Sequence, residues 1–220
     1  MQMKRGYFFT AEGNEGAGKS TIVKMASQYL AAKGYEVITS REPGGIAIAE
    51  QIRAVILDRR NTAMDGRTEA LLYAAARRQH YVEKILPALR EGKTVICDRF
   101  IDSSLAYQGY ARGLGMDEVL SINRFAAENV FPDLTFYLDV DPELGLKRIR
   151  EQESREINRL DLESLAFHHK VREGYLKVAD MFPHRVKKIN ANEKLDVVFD
   201  EVKRVLDQFL KENESHERRG

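Results

Sequence analysis

Short apolar runs alternate along this chain with longer segments in which apolar residues recur every three or four positions. The runs predict buried strands, and the longer segments predict amphipathic helices. Five strands are predicted, at residues 7–11, 36–39, 93–97, 134–140 and 185–189. Helices are predicted at residues 21–32, 45–57, 68–89, 116–129 and 195–210, and another begins at Pro142.

The regular alternation of strands and helices favours a parallel sheet with right-handed crossovers. We therefore predict an α/β fold, a three-layer α/β/α sandwich with a five-stranded parallel sheet. The chain shows no repeat and no linker, which indicates a single domain over residues 1–213. Residues 214–220 are almost all charged or polar, and we expect them to form a disordered tail.

The composition excludes several classes of protein. Of the 220 residues, 43% are hydrophobic and 31% are charged, but the charges nearly cancel to +1, which argues against a protein that coats nucleic acid. The single cysteine, Cys97, lies in an apolar run, which indicates a buried thiol rather than a nucleophile and excludes an internal disulfide framework. No apolar stretch is long enough to span a membrane and no signal peptide is evident, so we expect a cytoplasmic protein.

Residues 13–20 read G-N-E-G-A-G-K-S and fit the phosphate-binding loop G-x-x-x-x-G-K-[ST]. The loop lies between a predicted strand and a predicted helix, which is the context that this motif requires. Its glycines let backbone N–H groups curl around phosphate, and the helix N-terminus adds partial positive charge. Lys19 can reach the β- and γ-phosphates, and the Ser20 hydroxyl can ligate Mg²⁺. The expected ligand is therefore a nucleoside triphosphate with Mg²⁺.

Charged residues follow two other predicted strands, at the edge of a parallel sheet where ligands bind. Asp98 and Arg99 follow the third strand, which makes Asp98 a candidate Mg²⁺ ligand and Arg99 a candidate phosphate-binding group. A surface ion pair is the alternative for these two residues. Arg41 and Glu42 precede Pro-Gly-Gly after the second strand, where a plain turn is the alternative.

Two further stretches carry side chains suited to a nucleotide. Tyr73 and Arg77 lie four residues apart in a predicted helix and so share one face, where a ring and a guanidinium suit a base and its phosphate. Core packing with a surface charge is the alternative there. Tyr107 can stack beside a sugar, and the Gln108 amide can pair with the edge of a base, although hydroxyl-rich turns of this kind also act as plain caps.

Arginines crowd the segment that follows the fourth strand, at positions 148, 150, 155 and 159. One interpretation is an exposed helix crossed by salt bridges. The shortage of apolar residues favours a second one, a mobile lid at about 148–160 that closes over the phosphates. Because no residue at positions 14–17 of the phosphate loop is basic, we expect Arg150 or Arg155 to contact the phosphates and Arg159 to anchor the lid.

Taken in order, these motifs resemble the thymidylate kinase family, whose members phosphorylate dTMP with ATP. The resemblance covers nearly the whole chain, from Tyr7 to the final predicted helix. It rests on E-G-N-E-G-A-G-K-S-T at 12–21, R-E-P-G-G at 41–45, L-L-Y-A-A at 71–75 with Arg77, D-R-F at 98–100, A-Y-Q-G at 106–109, P-D-L-T at 132–135 and V-R-E-G-Y-L at 171–176.

The resemblance implies a P-loop nucleoside monophosphate kinase with Mg²⁺-dependent in-line transfer from ATP to dTMP, a step of nucleotide biosynthesis. It implies ATP contacts at Gly13, Asn14, Glu15, Gly16, Ala17, Gly18, Lys19, Ser20, Thr21 and Asn192. It implies dTMP contacts at Glu42, Arg53, Tyr73, Arg77, Arg99, Ser103, Ser104, Tyr107 and Gln108. The implied metal ligands are Ser20 and Asp98. The implied catalytic residues are Lys19, Glu15, Arg99, Arg150 and Arg155.

The resemblance also assigns individual roles. Arg77 and Arg99 would grip the dTMP phosphate, and Tyr73, where the family usually has Phe, would stack on thymine. Arg53, Ser104 and Gln108 would read the edge of the base. Tyr107 would lie near C2′ and disfavour ribose, Glu15 would position the acceptor through its 3′-hydroxyl, and Asn192 would lie by the adenine. A homodimer is expected from the family. Ile46 and Asn158 depart from its usual Thr and Asp, and the lid is slightly longer than usual.

A chain with this phosphate loop has three alternative functions. One is a kinase of the same fold for a different nucleoside or monophosphate. Another is a GTP-dependent switch, which would carry Asn-Lys-x-Asp after a late strand, but residues 190–193 read N-A-N-E and lack the lysine and the aspartate. The third is an ATP-binding subunit without turnover, which the intact Lys19, Ser20 and Asp98 disfavour.

Overall fold

Five parallel strands form one central sheet in this computed structural model, which describes residues 6–151 and 159–217. The strands are β1 (Phe8–Glu12), β2 (Val37–Arg41), β3 (Thr94–Asp98), β4 (Leu134–Asp139) and β5 (Val186–Asn190). Their order across the sheet is β2-β3-β1-β4-β5, and every neighbouring pair is parallel. Both the α/β class and the five-stranded parallel sheet are therefore confirmed.

The later strands lie on both sides of β1, with β3 and β2 on one side and β4 and β5 on the other. Connections that leave β1 in opposite directions open a crevice at the carboxyl ends of the strands. In the sheet register, Ala11 of β1 and Arg41 of β2 both pair with Asp98 of β3. On the other side of β1, Glu12 pairs with Tyr137 of β4. This level register brings the loops after β1, β2 and β3 to the same edge of the sheet.

Nine α-helices flank the sheet within the described residues. They are α1 (Lys19–Ala32), α2 (Ala47–Leu57), α3 (Gly66–His80), α4 (Leu86–Arg90), α5 (Ile101–Ser104), α6 (Met116–Ala126), α7 (Pro142–Arg150), α8 (Leu165–Met181) and α9 (Leu195–Glu217). Two π-helical segments, Tyr81–Ile85 and Leu105–Ala111, continue α3 and α5. A short 3₁₀ turn, Leu160–Leu162, precedes α8. No helix in this part of the chain is long and apolar enough to cross a bilayer.

Several element boundaries differ from the predicted ones, and α8 was not among the predicted helices. The helix predicted over residues 68–89 consists of α3, a π-helical turn and α4, because Pro87 at the start of α4 lacks the backbone N–H that a continuous ladder needs. The last helix continues to Glu217 rather than ending at 210, so its backbone is helical into the segment expected to form a disordered tail. Residues 218–220 lie outside the described part of the chain.

The core is divided by the sheet into two layers. Successive residues of a strand point to opposite faces, and here both faces are buried. Phe8 and Tyr137 pack with residues of α5, α6 and α8 on one side. Phe9 and Phe136 pack with residues of α1 and α9 on the other side. Helices on both faces of one parallel sheet give the predicted three-layer sandwich.

A buried ion pair crosses the first of these layers. Asp102 of α5 is fully buried, and its carboxylate accepts from both terminal nitrogens of Arg185, at 2.7 and 2.6 Å. The Thr135 hydroxyl also donates to Asp102, at 3.1 Å. This network ties α5, which follows the carboxyl end of β3, to β4 and to the segment just before β5.

Candidate active site

A cavity of about 550 Å³ opens at the carboxyl ends of the strands, a volume typical of a small-molecule site. Most of the predicted site residues line it, namely Glu15, Gly16, Gly18, Lys19, Ser20, Thr21, Glu42, Arg53, Tyr73, Asp98, Arg99, Ser103, Ser104, Tyr107 and Gln108. Arg41, Pro43, Leu57, Arg148, Ile149 and Leu160 complete the wall. One continuous chamber therefore runs from the phosphate loop to the side chains predicted to bind a base.

The phosphate loop is shaped by glycines in left-handed conformations. Gly16 has φ 74° and Gly18 has φ 85°, which side-chain-bearing residues rarely adopt. Gly16 also lies against Gly145 of α7 so closely that a Cβ there would overlap the Gly145 carbonyl oxygen. The loop thus packs directly on the helix that leads into the predicted lid.

Lys19 is buried at the base of the loop. Its ammonium donates to the carbonyl oxygens of Gly13 and Asn14, at 3.1 and 2.8 Å. Burial, and after it the charge of Arg99, lowers the pKa of Lys19 to about 8. Because the ammonium of Lys19 is poorly solvated, it gains more free energy from contact with a phosphate than an exposed lysine would.

Ser20 and Asp98 are in contact at the N-terminus of α1. The Ser20 hydroxyl donates to Asp98 Oδ2 at 2.6 Å. A hydroxyl and a carboxylate in contact at a phosphate loop are oxygen ligands of the kind that Mg²⁺ takes alongside phosphate. The two residues predicted to hold the metal therefore fit that ion.

Arg99 lies at the centre of the cavity. Its backbone has φ 72°, which aims the side chain back across β1. The guanidinium donates to Glu15 Oε1 at 2.5 Å, to the Tyr175 hydroxyl at 3.0 Å and to the Gly13 carbonyl at 3.1 Å. Although burial opposes it, the Glu15 charge keeps the pKa of Arg99 well above its ordinary value. The site therefore carries a permanent cation beside the phosphate loop.

Glu12 supports this arginine from below, and sequence reasoning missed it. Its carboxylate accepts from the backbone N–H of Phe100 at 2.6 Å, from the Ser103 hydroxyl at 2.5 Å and from the Tyr175 hydroxyl at 2.9 Å. Burial, and next the neighbouring Asp102, raises the pKa of Glu12 to about 7. Its position directly before the phosphate loop was the one available signal, but nothing in the local sequence shows that three donors converge there.

The other end of the cavity carries the side chains predicted to meet a base and a sugar. Tyr73, Ser104 and Gln108 lie in its wall, and the Gln108 amide nitrogen donates to buried Glu69 at 2.8 Å. The Tyr107 hydroxyl donates to Glu15 Oε1 at 3.2 Å. Arg53 donates to the Pro43 carbonyl at 2.9 Å. This end therefore combines an aromatic ring with hydrogen-bonding groups held in place by neighbours.

Arg77 is not part of the cavity wall, and its role at the dTMP phosphate stays a prediction. Arg77 is only 1% exposed, and its guanidinium donates to Glu42 at 2.8 Å, to Ser104 at 3.0 Å, to the Phe100 carbonyl at 2.8 Å and to Asn123. These acceptors come from three separate segments, which are the loop after β2, residues 100–104 and α6, so the sequence pattern could not reveal them. Arg77 supports the wall from behind.

The carboxylate of Glu42, which is predicted to contact dTMP, also has buried partners within the protein. One of its oxygens accepts from Arg77, and the other lies 2.9 Å from Nδ1 of the buried His80. His80 in turn lies 2.6 Å from the Ser40 hydroxyl. Glu42 lines the cavity, but its carboxylate is already engaged in this buried network.

Four residues predicted to contact ATP are not part of the cavity wall, namely Gly13, Asn14, Ala17 and Asn192. The Asn14 amide is buried and donates to the His168 carbonyl at 3.0 Å. The Asn192 side chain accepts from the backbone of Asp141 at 2.9 Å. Arg148 does line the cavity, and it donates to the Ala191 carbonyl at 2.9 Å.

The predicted lid is described only at its two ends. Arg150 is exposed at the end of α7. Arg155 lies outside the described residues. Arg159 donates to Glu69 Oε2 at 2.5 Å and to the Ile56 carbonyl at 2.9 Å, and its anchoring of the lid stays a prediction.

Comparisons with known proteins agree with one another. A family model described as thymidylate kinase matches residues 11–202. Thymidylate kinase from Clostridium novyi (strain NT) is 64% identical over 201 residues, which cover 91% of this chain and 98% of that protein. The one from Anoxybacillus flavithermus (strain DSM 21510 / WK1) is 61% identical over 204 residues, covering 93% and 98%. The crystal structure of thymidylate kinase from Ehrlichia chaffeensis has a TM-score of 0.74 and 34% identity, with coverage of 92% and 99%.

Proposed function

The chain belongs to the thymidylate kinase family and is a nucleoside monophosphate kinase that acts on dTMP in the synthesis of dTTP, and on this premise we propose which residues perform the transfer. The ATP triphosphate binds over residues 13–21, and dTMP binds at the end of the cavity that holds Tyr73. The observation that supports this placement is the single chamber that both Lys19 and Gln108 line. Two nucleotides that meet end to end in such a chamber place donor and acceptor phosphates in line.

The dTMP end is assigned from the side chains in its wall. The base stacks on Tyr73, and its edge faces Ser104 and Gln108, with Arg53 nearby. The sugar lies by Tyr107 and Glu15, where the tyrosine ring fills the space of a 2′-hydroxyl and the carboxylate accepts from the 3′-hydroxyl. The hydrogen bond between the Tyr107 hydroxyl and Glu15 supports this pairing, because it holds the two side chains together.

Phosphoryl transfer needs positioning and neutralisation of charge more than a covalent nucleophile. Lys19 binds the β- and γ-phosphates, and Arg99 binds the acceptor phosphate and holds it against the γ-phosphate. Ser20 and Asp98 hold a Mg²⁺ ion, which neutralises charge on the phosphates when it is bound. The acceptor phosphate is largely ionised near neutral pH, so the chain needs no strong general base.

Further positive charge comes from arginines after β4. The variable positions of the phosphate loop carry no basic residue, and the transferred group still has to be neutralised. We assign this role to Arg150 or Arg155, with Arg148 at the ATP side of the cavity, where it contacts the loop after β5. Arg159 anchors the segment by its bond to Glu69.

A second copy of this chain is the partner proposed for the surface formed by α2, α3 and α6. These helices pack side by side, and they expose four large apolar side chains, those of Ile48, Val55, Leu71 and Phe125. Phe125 is 88% exposed, and the exposure of such a large apolar ring to water costs free energy. Sedimentation would show a dimer that Phe125→Glu converts to a monomer.

We also place the protein in the cytoplasm, where ATP and dTMP are available and where the free thiol of Cys97 stays reduced.

The metal and loop assignments are tested by product analysis. With ATP, dTMP and Mg²⁺ the protein should release equal amounts of ADP and dTDP, and chelation of Mg²⁺ should stop both. Ser20→Ala should raise the Mg²⁺ concentration needed for half-maximal activity, whereas Ser27→Ala, seven residues along the same helix, should not. An unchanged Mg²⁺ requirement in Ser20→Ala would remove Ser20 from the metal site.

A further inference from the structure

Glu69 of α3 touches the cavity only through another residue. It is 1% exposed and is not part of the cavity wall. Its Oε1 accepts from the Gln108 amide nitrogen at 2.8 Å. Its Oε2 accepts from Arg159 at 2.5 Å and from Arg112 at 3.2 Å, while a longer bond of 3.3 Å joins Arg112 Nε to Oε1. A buried carboxylate therefore lies behind the residue proposed to read the base.

This contact determines which end of the Gln108 amide faces the ligand. An ionised carboxylate only accepts hydrogen bonds, so the NH₂ group of Gln108 must face Glu69 and its carbonyl must point the other way. Burial opposes ionisation of Glu69, but the bond from Gln108 and the charges and bonds of Arg112 and Arg159 outweigh it and keep its pKa below the ordinary value. Within residues 6–151 and 159–217, no donor reaches the Gln108 carbonyl oxygen, and Gln108 lines the cavity.

We propose that Glu69 determines base specificity by orienting the Gln108 amide so that its carbonyl, rather than its NH₂ group, meets the edge of the base. The proposal rests on the proposed placement of the dTMP base at this wall. Thymine and uracil carry an N–H donor at position 3, which pairs with a carbonyl. Cytosine carries an acceptor there, so two acceptors would face each other and both would lose water without a partner. Glu69 is a positioning residue, because it does not touch the substrate.

Ser104 beside Gln108 presents the complementary group. Its hydroxyl oxygen accepts from the buried Arg77 at 3.0 Å, which leaves the hydroxyl proton free to donate into the cavity. The wall then offers a donor next to an acceptor. That pattern matches the carbonyl and N–H of thymine and is the reverse of the amino group and ring nitrogen of cytosine.

The test is Glu69→Gln, which keeps the shape of the side chain. The two shorter arginine bonds hold the new carbonyl toward Arg159 and Arg112, so the new NH₂ group faces Gln108. Gln108 then has to turn over and point its own NH₂ group into the cavity. The ratio of kcat/KM for dTMP to that for dCMP should fall by about tenfold to a hundredfold, as expected for one mispaired buried hydrogen bond.

Glu163→Gln is the matched control. Glu163 accepts from Arg112 at 2.5 Å, so this change also removes a carboxylate from that arginine but leaves the contact with Gln108 intact. Its dTMP-to-dCMP ratio should equal that of the wild type. Gln108→Ala should lower the ratio, and adding Glu69→Gln to it should lower the ratio no further, because Glu69 acts through Gln108.

The outcomes separate this inference from the function on which it rests. A wild-type protein that does not prefer dTMP, or a Gln108→Ala ratio equal to wild type, would contradict the placement of the base. A lowered ratio in Gln108→Ala with a wild-type ratio in Glu69→Gln would overturn the role of Glu69 alone.

If Glu69→Gln does not fold, the wild-type protein provides the test. Its affinity for dTMP is compared with its affinity for the N3-methyl analogue, which has N–CH₃ in place of N–H at position 3. Binding of the analogue should be weaker by about tenfold or more, since the Gln108 carbonyl loses its donor. Equal affinities would mean that the carbonyl does not face position 3 and would overturn the proposed orientation.

Discussion

The guanidinium of Arg99 lies 2.5 Å from the carboxylate of Glu15, so the residue after β3 and the acidic residue of the phosphate loop form an ion pair inside the cavity. Both side chains are mostly buried, at 14% and 11% exposed, which removes much of the screening by water. The pair keeps the arginine aimed at the phosphate loop. Tyr107, which contacts both partners, extends it toward the sugar.

Arg99→Ala should lower kcat by roughly a thousandfold, the lower end of what a positioned arginine contributes to phosphoryl transfer. It should also raise KM for dTMP, because the acceptor phosphate loses its cation. Steady-state kinetics with varied dTMP measure both. Arg78→Ala is the control, since that arginine forms an exposed pair with Glu128, and its kinetics should stay at wild-type values. A kcat near wild type in folded Arg99→Ala would contradict the proposed role.

The lowered pKa of Lys19 predicts that ATP binding depends on pH. Its pKa in the ligand-free protein is lowered to about 8, so the side chain is charged below that pH and loses its proton above it. Affinity for ATP should therefore fall above pH 8, by at most about tenfold per pH unit, since one unit is worth about 1.36 kcal/mol. Titration calorimetry between pH 7 and 9.5 would show the fall and proton uptake on binding.

Lys19→Arg serves as the comparison, because its side chain stays charged across that range. Its ATP affinity, even if weaker overall, should not decline above pH 8. The same decline in both proteins would assign the pH dependence to a group other than Lys19.

Much of the fold and of the phosphate site could be predicted from the sequence, because their signals are local. The loop at 13–20 is a continuous motif between a strand and a helix, and Asp98 directly follows an apolar strand. The parallel order of the strands then brings Ser20 and Asp98 together without further information.

The contacts that could not be predicted from the sequence join residues that are distant in the chain. Arg77 lies on the helix face shared with Tyr73, yet its guanidinium is buried among acceptors from three other segments. Glu12 and Glu69 have no local pattern that marks a buried carboxylate. The helix pattern also hid the π-helical turn before Pro87, since one extra residue per turn barely changes the spacing of apolar positions.

Arginines after β4 supply a third prediction. Arg150→Ala or Arg155→Ala should lower kcat by about a hundredfold, or about 2.7 kcal/mol, with little change in KM for dTMP. Arg204→Ala is the control, because this exposed arginine of α9 pairs only with Glu201 among the described residues. Wild-type kcat in both test variants would assign the neutralising role to Lys19 and Arg99 alone.

Stability should depend on the ion pair of Asp102 with Arg185. Arg185→Ala leaves a carboxylate in the core without its two donors, which typically costs about 3–5 kcal/mol. Urea unfolding should show a loss of this size. Arg60→Ala, which removes an exposed pair with Asp58, should leave the unfolding midpoint unchanged. Equal midpoints for wild type and Arg185→Ala would show that the pair does not stabilise the fold.

The central claim is that a wall of Tyr73, Ser104 and Gln108 selects a pyrimidine with an N–H at position 3 for transfer from ATP over the phosphate loop. It is tested most directly by coupled assays of ADP release with dTMP, dUMP, dCMP, AMP and GMP, each at several concentrations. The account predicts the highest kcat/KM for dTMP, a lower value for dUMP, and poor turnover of dCMP and both purines. Faster turnover of AMP or GMP than of dTMP would contradict it.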